Sequence, residues 1–211
     1  MELPMAGNGT RVWVYRHAQS LANAGGRTLD PAGIPLTEQG LAEAEKLAAS
    51  IRETPGRIVS SPYRRALDTA RPLRARFPAA VYEVWPIQEF TYLDPSSCVG
   101  TSWIERKPRV DVFWARRDPA YADGEGAESF SSLLMRARSF LDDLLNVREE
   151  LVIAVTHGQF MLATKLMAET PDMDPRTAMA VFHDRELRRP FANCERMELV
   201  VKAGRVGVVG Y

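Results

Sequence analysis

Two uninterrupted apolar runs stand out along this chain, Val12-Trp13-Val14-Tyr15 and Leu151-Val152-Ile153-Ala154-Val155. Short continuous runs of this kind read as strands buried on both faces of a parallel sheet, because a half-exposed strand would alternate. A shorter strand is centred on Ile58-Val59 within 57–60, and another is expected over 81–85. Between them the spacing becomes helical. Leu41, Ala44, Leu47, Ala48 and Ile51 share one face of a helix that Thr37 caps and Pro55-Gly56 ends. Ser61-Pro62 opens the next helix, which is expected to run to about Arg71 and to kink at Pro72. Ser129 caps a longer one with the apolar stripe Phe130, Leu133, Leu134, Ala137, Leu141, Leu144 and Leu145. Further helices are expected after Gly158, ending before Pro171, and near 175–186. Residues 195–201 and 206–209 read as two late strands joined at Ala203-Gly204. This alternation predicts an α/β fold, three layers α/β/α around a mostly parallel central sheet.

Residues 90–127 break the pattern. Pro95, Pro108, Pro119, Gly100, Gly124 and Gly126 mark an insertion, part helix and part loop, expected as a small cap over the C-terminal edge of the sheet. Its aromatics Tyr92, Trp103, Phe113, Trp114 and Tyr121 read as a small core of its own rather than a base-stacking surface. Charge supports that choice. Lys+Arg and Asp+Glu both number 27, and a general nucleic-acid or membrane binder needs a basic excess. Cys98 and Cys194 are too few and too isolated for a disulfide framework or a zinc site. Residues 1–10 lack the basic start and apolar centre of a signal peptide, and no apolar stretch is long enough to span a bilayer. A single domain over 1–211 in the cytoplasm is the expectation.

The chemistry gathers at strand ends. Arg16-His17 follows the first apolar run directly, and His157 follows the last, so a parallel sheet would carry both histidines to one edge. Arginine can grip an anion with a bidentate fork, and histidine can act as base, acid or nucleophile near neutral pH. Gln19, Ser20 and Asn23 add hydrogen-bonding groups beside them. A third strand end leads into Ser60-Ser61-Pro62-Tyr63-Arg64-Arg65-Ala66-Leu67-Asp68-Thr69-Ala70, which places arginines at a helix start, where anions are already favoured.

This ordered set resembles the histidine phosphatase superfamily, which includes the phosphoglycerate mutase-like enzymes. Arg16-His17-Ala18 stands at the family's Arg-His-Gly motif, with alanine for the usual glycine. Residues 60–70 match its second motif and put the family's arginine at Arg65; His157-Gly158 matches the late His-Gly. The glutamate between them is most simply Glu89, with Glu83 as the competing choice.

The resemblance implies a small phosphorylated substrate, or inorganic phosphate, held by Arg16, Arg65 and protonated His157, with Asn23 as an auxiliary contact. His17 would become a phosphohistidine, Glu89 would protonate the leaving oxygen, and no metal or other cofactor is called for. Gln19, Ser20, Arg116 and Arg117 are further substrate-binding candidates, and Trp103, Arg106, Lys107 and Arg109 are candidates to shape the leaving-group side. The leading expectation is a phosphomonoester hydrolase. A phosphoglycerate-type mutase is the alternative, supported by Arg116-Arg117 but not by Glu89-Phe90-Thr91-Tyr92, which departs from the mutases' Glu-Arg-x-Tyr-Gly. A non-catalytic phosphate-binding or interaction module is the alternative from another class. Glu128, in Ala127-Glu128-Ser129, resembles part of a mutase Gly-Glu-Ser, with stabilisation of the following helix N-terminus as its plainer role. A homodimer is expected from the commonness of two-fold assemblies.

Overall fold

A computed structural model describes residues 9–28 and 30–210. Its strands are β1 (Thr10–Arg16), β2 (Arg57–Ser60), β3 (Val81–Val84), β4 (Leu151–Thr156), β5 (Arg196–Lys202) and β6 (Arg205–Gly210). Among the described residues they form one sheet in the order β3-β2-β4-β1-β5-β6. The first four in that order run parallel, and the late hairpin adds antiparallel to β1, so the sheet is mixed. Its helices are α1 (Glu38–Ser50), α2 (Arg64–Arg76), α3 (Pro95–Cys98), α4 (Trp103–Arg116), α5 (Phe130–Leu145), α6 (Gly158–Glu169) and α7 (Pro175–Arg188). None of these is long and apolar enough to cross a membrane.

Every residue of β4 is buried. Successive side chains of a strand point to opposite faces, and β4 supplies both cores of the molecule. Leu151, Ile153 and Val155 join Trp13, Tyr15 and Ile58 against Leu47 of α1 and Ala66, Ala70 and Leu73 of α2. Val152 and Ala154 join Val12 and Val14 against α5, α6 and α7. The continuous apolar run is thus explained by two covered faces.

Three expectations need correction. Helix α2 begins at Arg64, not at Ser61-Pro62, because the Ser61 amide still donates to Val155 and continues the ladder, while Ser61 Oγ accepts from Tyr63. It also continues through Pro72 to Arg76. Ala70 and Leu73, on either side of the proline, are fully buried, and packing carries the helix past the missing hydrogen bond. The cap, formed by α3, α4 and their loops, has no separate core. Phe90, Phe113 and Trp114 join Phe130 of α5 and Phe182 of α7 in the main cluster, and only Trp103 of the five cap aromatics stands well out, at 53% exposed.

The β5–β6 hairpin turns through Ala203 and Gly204, at φ 51° and 71°. Paired left-handed residues suit a two-residue hairpin, but a Cβ makes that conformation costly for alanine. Ala203 is exposed, so its methyl contributes no packing. Ala203→Asn is expected to stabilise the fold by about 1 kcal/mol, read as a raised urea midpoint, and Gly204→Ala to lower it.

Candidate active site

The parallel register of β1 and β4 sets Arg16 opposite Thr156. His17 and His157, one residue further on, therefore emerge side by side, with ring centroids 5.0 Å apart. The His17 ring is fixed by both nitrogens. Nδ1 lies 2.7 Å from the Ala18 carbonyl oxygen, and the Arg65 Nε–H donates to Nε2 at 3.1 Å. A carbonyl only accepts and a guanidinium only donates, so the proton belongs on Nδ1 and the lone pair on Nε2. A ring held this way presents a nucleophilic nitrogen. His157 Nε2 meets Ser61 Oγ at 2.8 Å, and its Nδ1 is buried with no hydrogen-bond partner. Ala18 is not among the positive-φ residues, and its amide donates to Thr69 Oγ1, so alanine sits without backbone strain where the family has glycine.

Two guanidiniums complete the floor. Arg65 is 6% exposed; it donates to the Pro31 carbonyl at 2.7 Å and lies over the Tyr63 ring. Arg16 donates to the Phe191 carbonyl, and its Nε is buried without a partner. Burial, reinforced by Arg65 and Arg16, pushes both histidines well below their usual range. Both effects favour the neutral form of the two rings. Burial raises the Glu89 carboxyl, opposed by the same two arginines. Glu89 Oε1 accepts from the Phe90 amide at 3.1 Å and from Phe160, in the first turn of α6, at 3.3 Å. Glu83 is elsewhere: on β3 it pairs with Arg57 and accepts from Trp85 Nε1. Between the two glutamates, only Glu89 lines the pocket.

The cavity here measures about 240 Å³ and is lined by Arg16, His17, Arg65 and Glu89, with Ser20 and Asn23 beside them. The Ser20 amide and hydroxyl both donate to Asn23 Oδ1. Gln19 is not in the lining; its Oε1 accepts from Thr37 Oγ1 at the start of α1. Arg116 and Arg117 are not there either. Both are exposed at the far end of α4, where Arg116 packs over Tyr121 and Arg117 forms the C-cap. Of the cap residues singled out from sequence, Trp103 and Arg106 line the cavity, while Lys107 and Arg109 pair with Asp111 and Asp123. Among the described residues no group of three His, Cys, Asp or Glu could hold a metal ion.

Sequence reasoning missed two supports. Arg136 of α5 donates to the carbonyls of Gln88 (2.7 Å) and Pro86 (3.2 Å), on the loop that carries Glu89. Its other nitrogens pair with Glu128, at 3.0 and 2.7 Å, and the Glu128 amide donates to Thr91. Glu128 thus serves as the counter-ion of a clamp on that loop, not as a helix-end charge. An arginine beside the apolar stripe of α5 was the available signal. Asn193 is the other: its Nδ2 donates to the His17 carbonyl at 2.8 Å and to Asn23 Oδ1 at 3.2 Å. Nothing local in the sequence around 193 marks it.

Comparison with known proteins agrees with this arrangement. The sequence profile of the family described as histidine phosphatase superfamily (branch 1) matches residues 12–184. The chain is 39% identical over 161 residues to an adenosylcobalamin/alpha-ribazole phosphatase of Salmonella typhi, covering 75% of this chain and 80% of that one. It is 30% identical over 165 residues to a metal-independent phosphoserine phosphatase of Arabidopsis thaliana, covering 74% and 68%. Among solved structures, mycobacterial hydrolase 1 matches with a TM-score of 0.74 at 23% identity, covering 96% and 98%, a likeness of fold. Adjacent strand-end histidines, the arginines Arg16 and Arg65 beside them and a profile spanning most of the sequence lead to one assignment: the chain is a phosphatase of the histidine phosphatase superfamily.

Proposed function

We propose that the protein hydrolyses a small phosphomonoester through a phosphohistidine on His17 Nε2, with Glu89 as the proton donor. The observation that carries this reading is the clamped His17 tautomer, with Nδ1–H on the Ala18 carbonyl and the Nε2 lone pair beside Arg65. When a phosphate dianion enters, the Arg65 Nε–H passes to a phosphoryl oxygen and frees that lone pair. Arg16, Arg65 and His157 surround the non-bridging oxygens, where charge must be stabilised during transfer; Asn23 adds a side-chain amide donor. The Nε2–P bond forms as the ester P–O bond breaks, and the Glu89 proton goes to the leaving oxygen. Glu89 then takes a proton from water, whose oxygen attacks phosphorus. The N–P bond breaks, and inorganic phosphate and neutral His17 are regenerated. The raised Glu89 pKa favours the protonated form that the first step requires. The mutase reading loses the Arg116-Arg117 pair on which it rested, since neither residue reaches the cavity.

The direct test is release of p-nitrophenol from its phosphate ester in the presence of a chelator. Activity that persists in chelator and disappears in His17→Ala supports the reading, and activity retained by His17→Ala overturns it. Glu89→Gln is expected to lower kcat on an alkyl phosphate by about 10²–10⁴-fold. The loss should be smaller with p-nitrophenyl phosphate, whose leaving group departs without a proton.

Anion binding has a predictable pH dependence. Burial and the neighbouring arginines hold His157 below its usual value, and a dianion beside it raises that value, so binding takes up a proton. Sulfate, dianionic across this range, should bind more tightly as pH falls from 8 to 6. Calorimetry on His157→Gln should show a shallower dependence.

Arg136→Met tests the clamp. With the Glu89 loop released, kcat should fall by up to about 100-fold with KM little changed. A fall in expression or Tm without that kcat effect would mark Arg136 as merely structural.

A further inference from the structure

Away from the phosphate end the cavity changes character. Beyond His17, Arg16, Arg65 and Glu89 its lining is largely apolar, with Phe90, Tyr92, Leu93, Trp103, Val110 and Ile34, and Arg106 as the charged exception. Trp103 is the exposed member, and its position is fixed. It opens α4, where Ser102 and Glu105 form a reciprocal capping box. The turn just before it is bridged to the opposite loop, with the Thr28 amide donating to Thr101 at 3.0 Å and the Gly100 amide to Thr28 at 2.7 Å. A large, rigid, half-wet ring held at a cavity mouth is a stacking face.

The charges lining the cavity are unbalanced. Among the described residues they are the guanidiniums of Arg16, Arg65 and Arg106 against the single carboxyl of Glu89. Arg106 gives one nitrogen to the Thr101 carbonyl and hydroxyl at 2.8 and 3.2 Å, which holds its charge at the outer wall. The nearby carboxyls of the cap are engaged elsewhere, Glu105 with Arg27 and Asp123 with Arg109. Glu186 interacts with the side chain of Gln159, which lines the cavity. Burial, with Glu89 adding to the effect, pushes Glu186 up to about 7, so it gives only part of a counter-charge. An ammonium on the leaving alcohol would meet positive charge and no free carboxylate, whereas a flat apolar ring would meet Trp103 and its neighbours.

We propose that this outer chamber selects phosphomonoesters of alcohols that carry a flat apolar ring and no ammonium group, with Trp103 and Arg106 as the specificity-determining residues. The inference rests on the hydrolase reading above and narrows it to a substrate class. Lys107, Arg109, Arg116 and Arg117, the other cap cations singled out from sequence, lie outside the cavity.

The test compares three alkyl esters, so that no aryl leaving-group advantage enters: 2-phenylethyl phosphate, propyl phosphate and O-phosphoethanolamine. The expected kcat/KM for 2-phenylethyl phosphate exceeds that for O-phosphoethanolamine by at least about tenfold. Trp103→Ala should bring the ratio of 2-phenylethyl to propyl phosphate close to unity. Arg106→Gln should raise O-phosphoethanolamine relative to propyl phosphate. Equal or better turnover of O-phosphoethanolamine, or a phenylethyl-to-propyl ratio that Trp103→Ala leaves unchanged, overturns the substrate class and leaves the hydrolase reading intact. Calorimetry with 2-phenylethylphosphonate and 2-aminoethylphosphonate reads the same preference without turnover. Preferential binding of the phenyl compound with no hydrolysis of any ester would sustain the chamber's selectivity and overturn the hydrolase reading alone. Equal binding of the two phosphonates overturns the selectivity.

Discussion

Two guanidiniums, one buried and one half-buried, set beside two buried imidazoles form the constraint around which this molecule is built. Positive charge withdrawn from water is costly unless something negative answers it, and here the carboxyl in the cavity lining, Glu89, is itself raised by burial. The neutral forms of the histidines are favoured, and the Arg65 hydrogen bond selects which nitrogen of His17 carries the proton. The tautomer of His17 and the upward shift of Glu89 thus share one electrostatic origin.

Keeping these groups in place requires support from every part of the chain. Strands β1 and β4 set the two rings abreast through their register. The loop bearing Glu89 is tied at three successive carbonyls, those of Pro86 and Gln88 by Arg136 and that of Ile87 by the Thr156 hydroxyl. The segment leading into β5 closes the far side, with the Phe191 carbonyl on Arg16, Asn193 on His17 and the Cys194 amide on the Arg16 carbonyl. Residues some 175 positions apart in sequence meet within one hydrogen bond. Stiffness of this kind keeps reacting groups aligned without reorganisation at the moment of transfer.

The parts legible in the sequence were those that local chemistry dictates. Two buried strands ending in histidine announced a shared edge, and Thr37, Ser129 and Ala203-Gly204 marked element boundaries that the structure keeps. What sequence could not supply came from long-range packing. The run Ser61-Pro62 has the local signature of a helix start, yet the neighbouring strand claims the Ser61 amide. Pro72 has the signature of a break, yet buried Leu73 holds the helix together. Arg116-Arg117 and Arg106 looked alike as cap arginines, and only the fold of α4 separates the one facing the cavity from the two in solvent. Arg136 and Asn193 carry no motif at all; their meaning is a matter of which carbonyl they reach.

The paired backbone contact between Thr28 and Thr101 has a wider consequence. It joins the cap to the loop after β1 through main-chain atoms, which nearly any residue can supply. The reaction centre and the part of the protein that chooses its clients are therefore separable in descent. Changes in 26–28 and 99–106 can re-cut the entrance while the phosphate end passes on unaltered. A lineage built this way can redirect one ancient reaction to new metabolites by editing two short surface stretches.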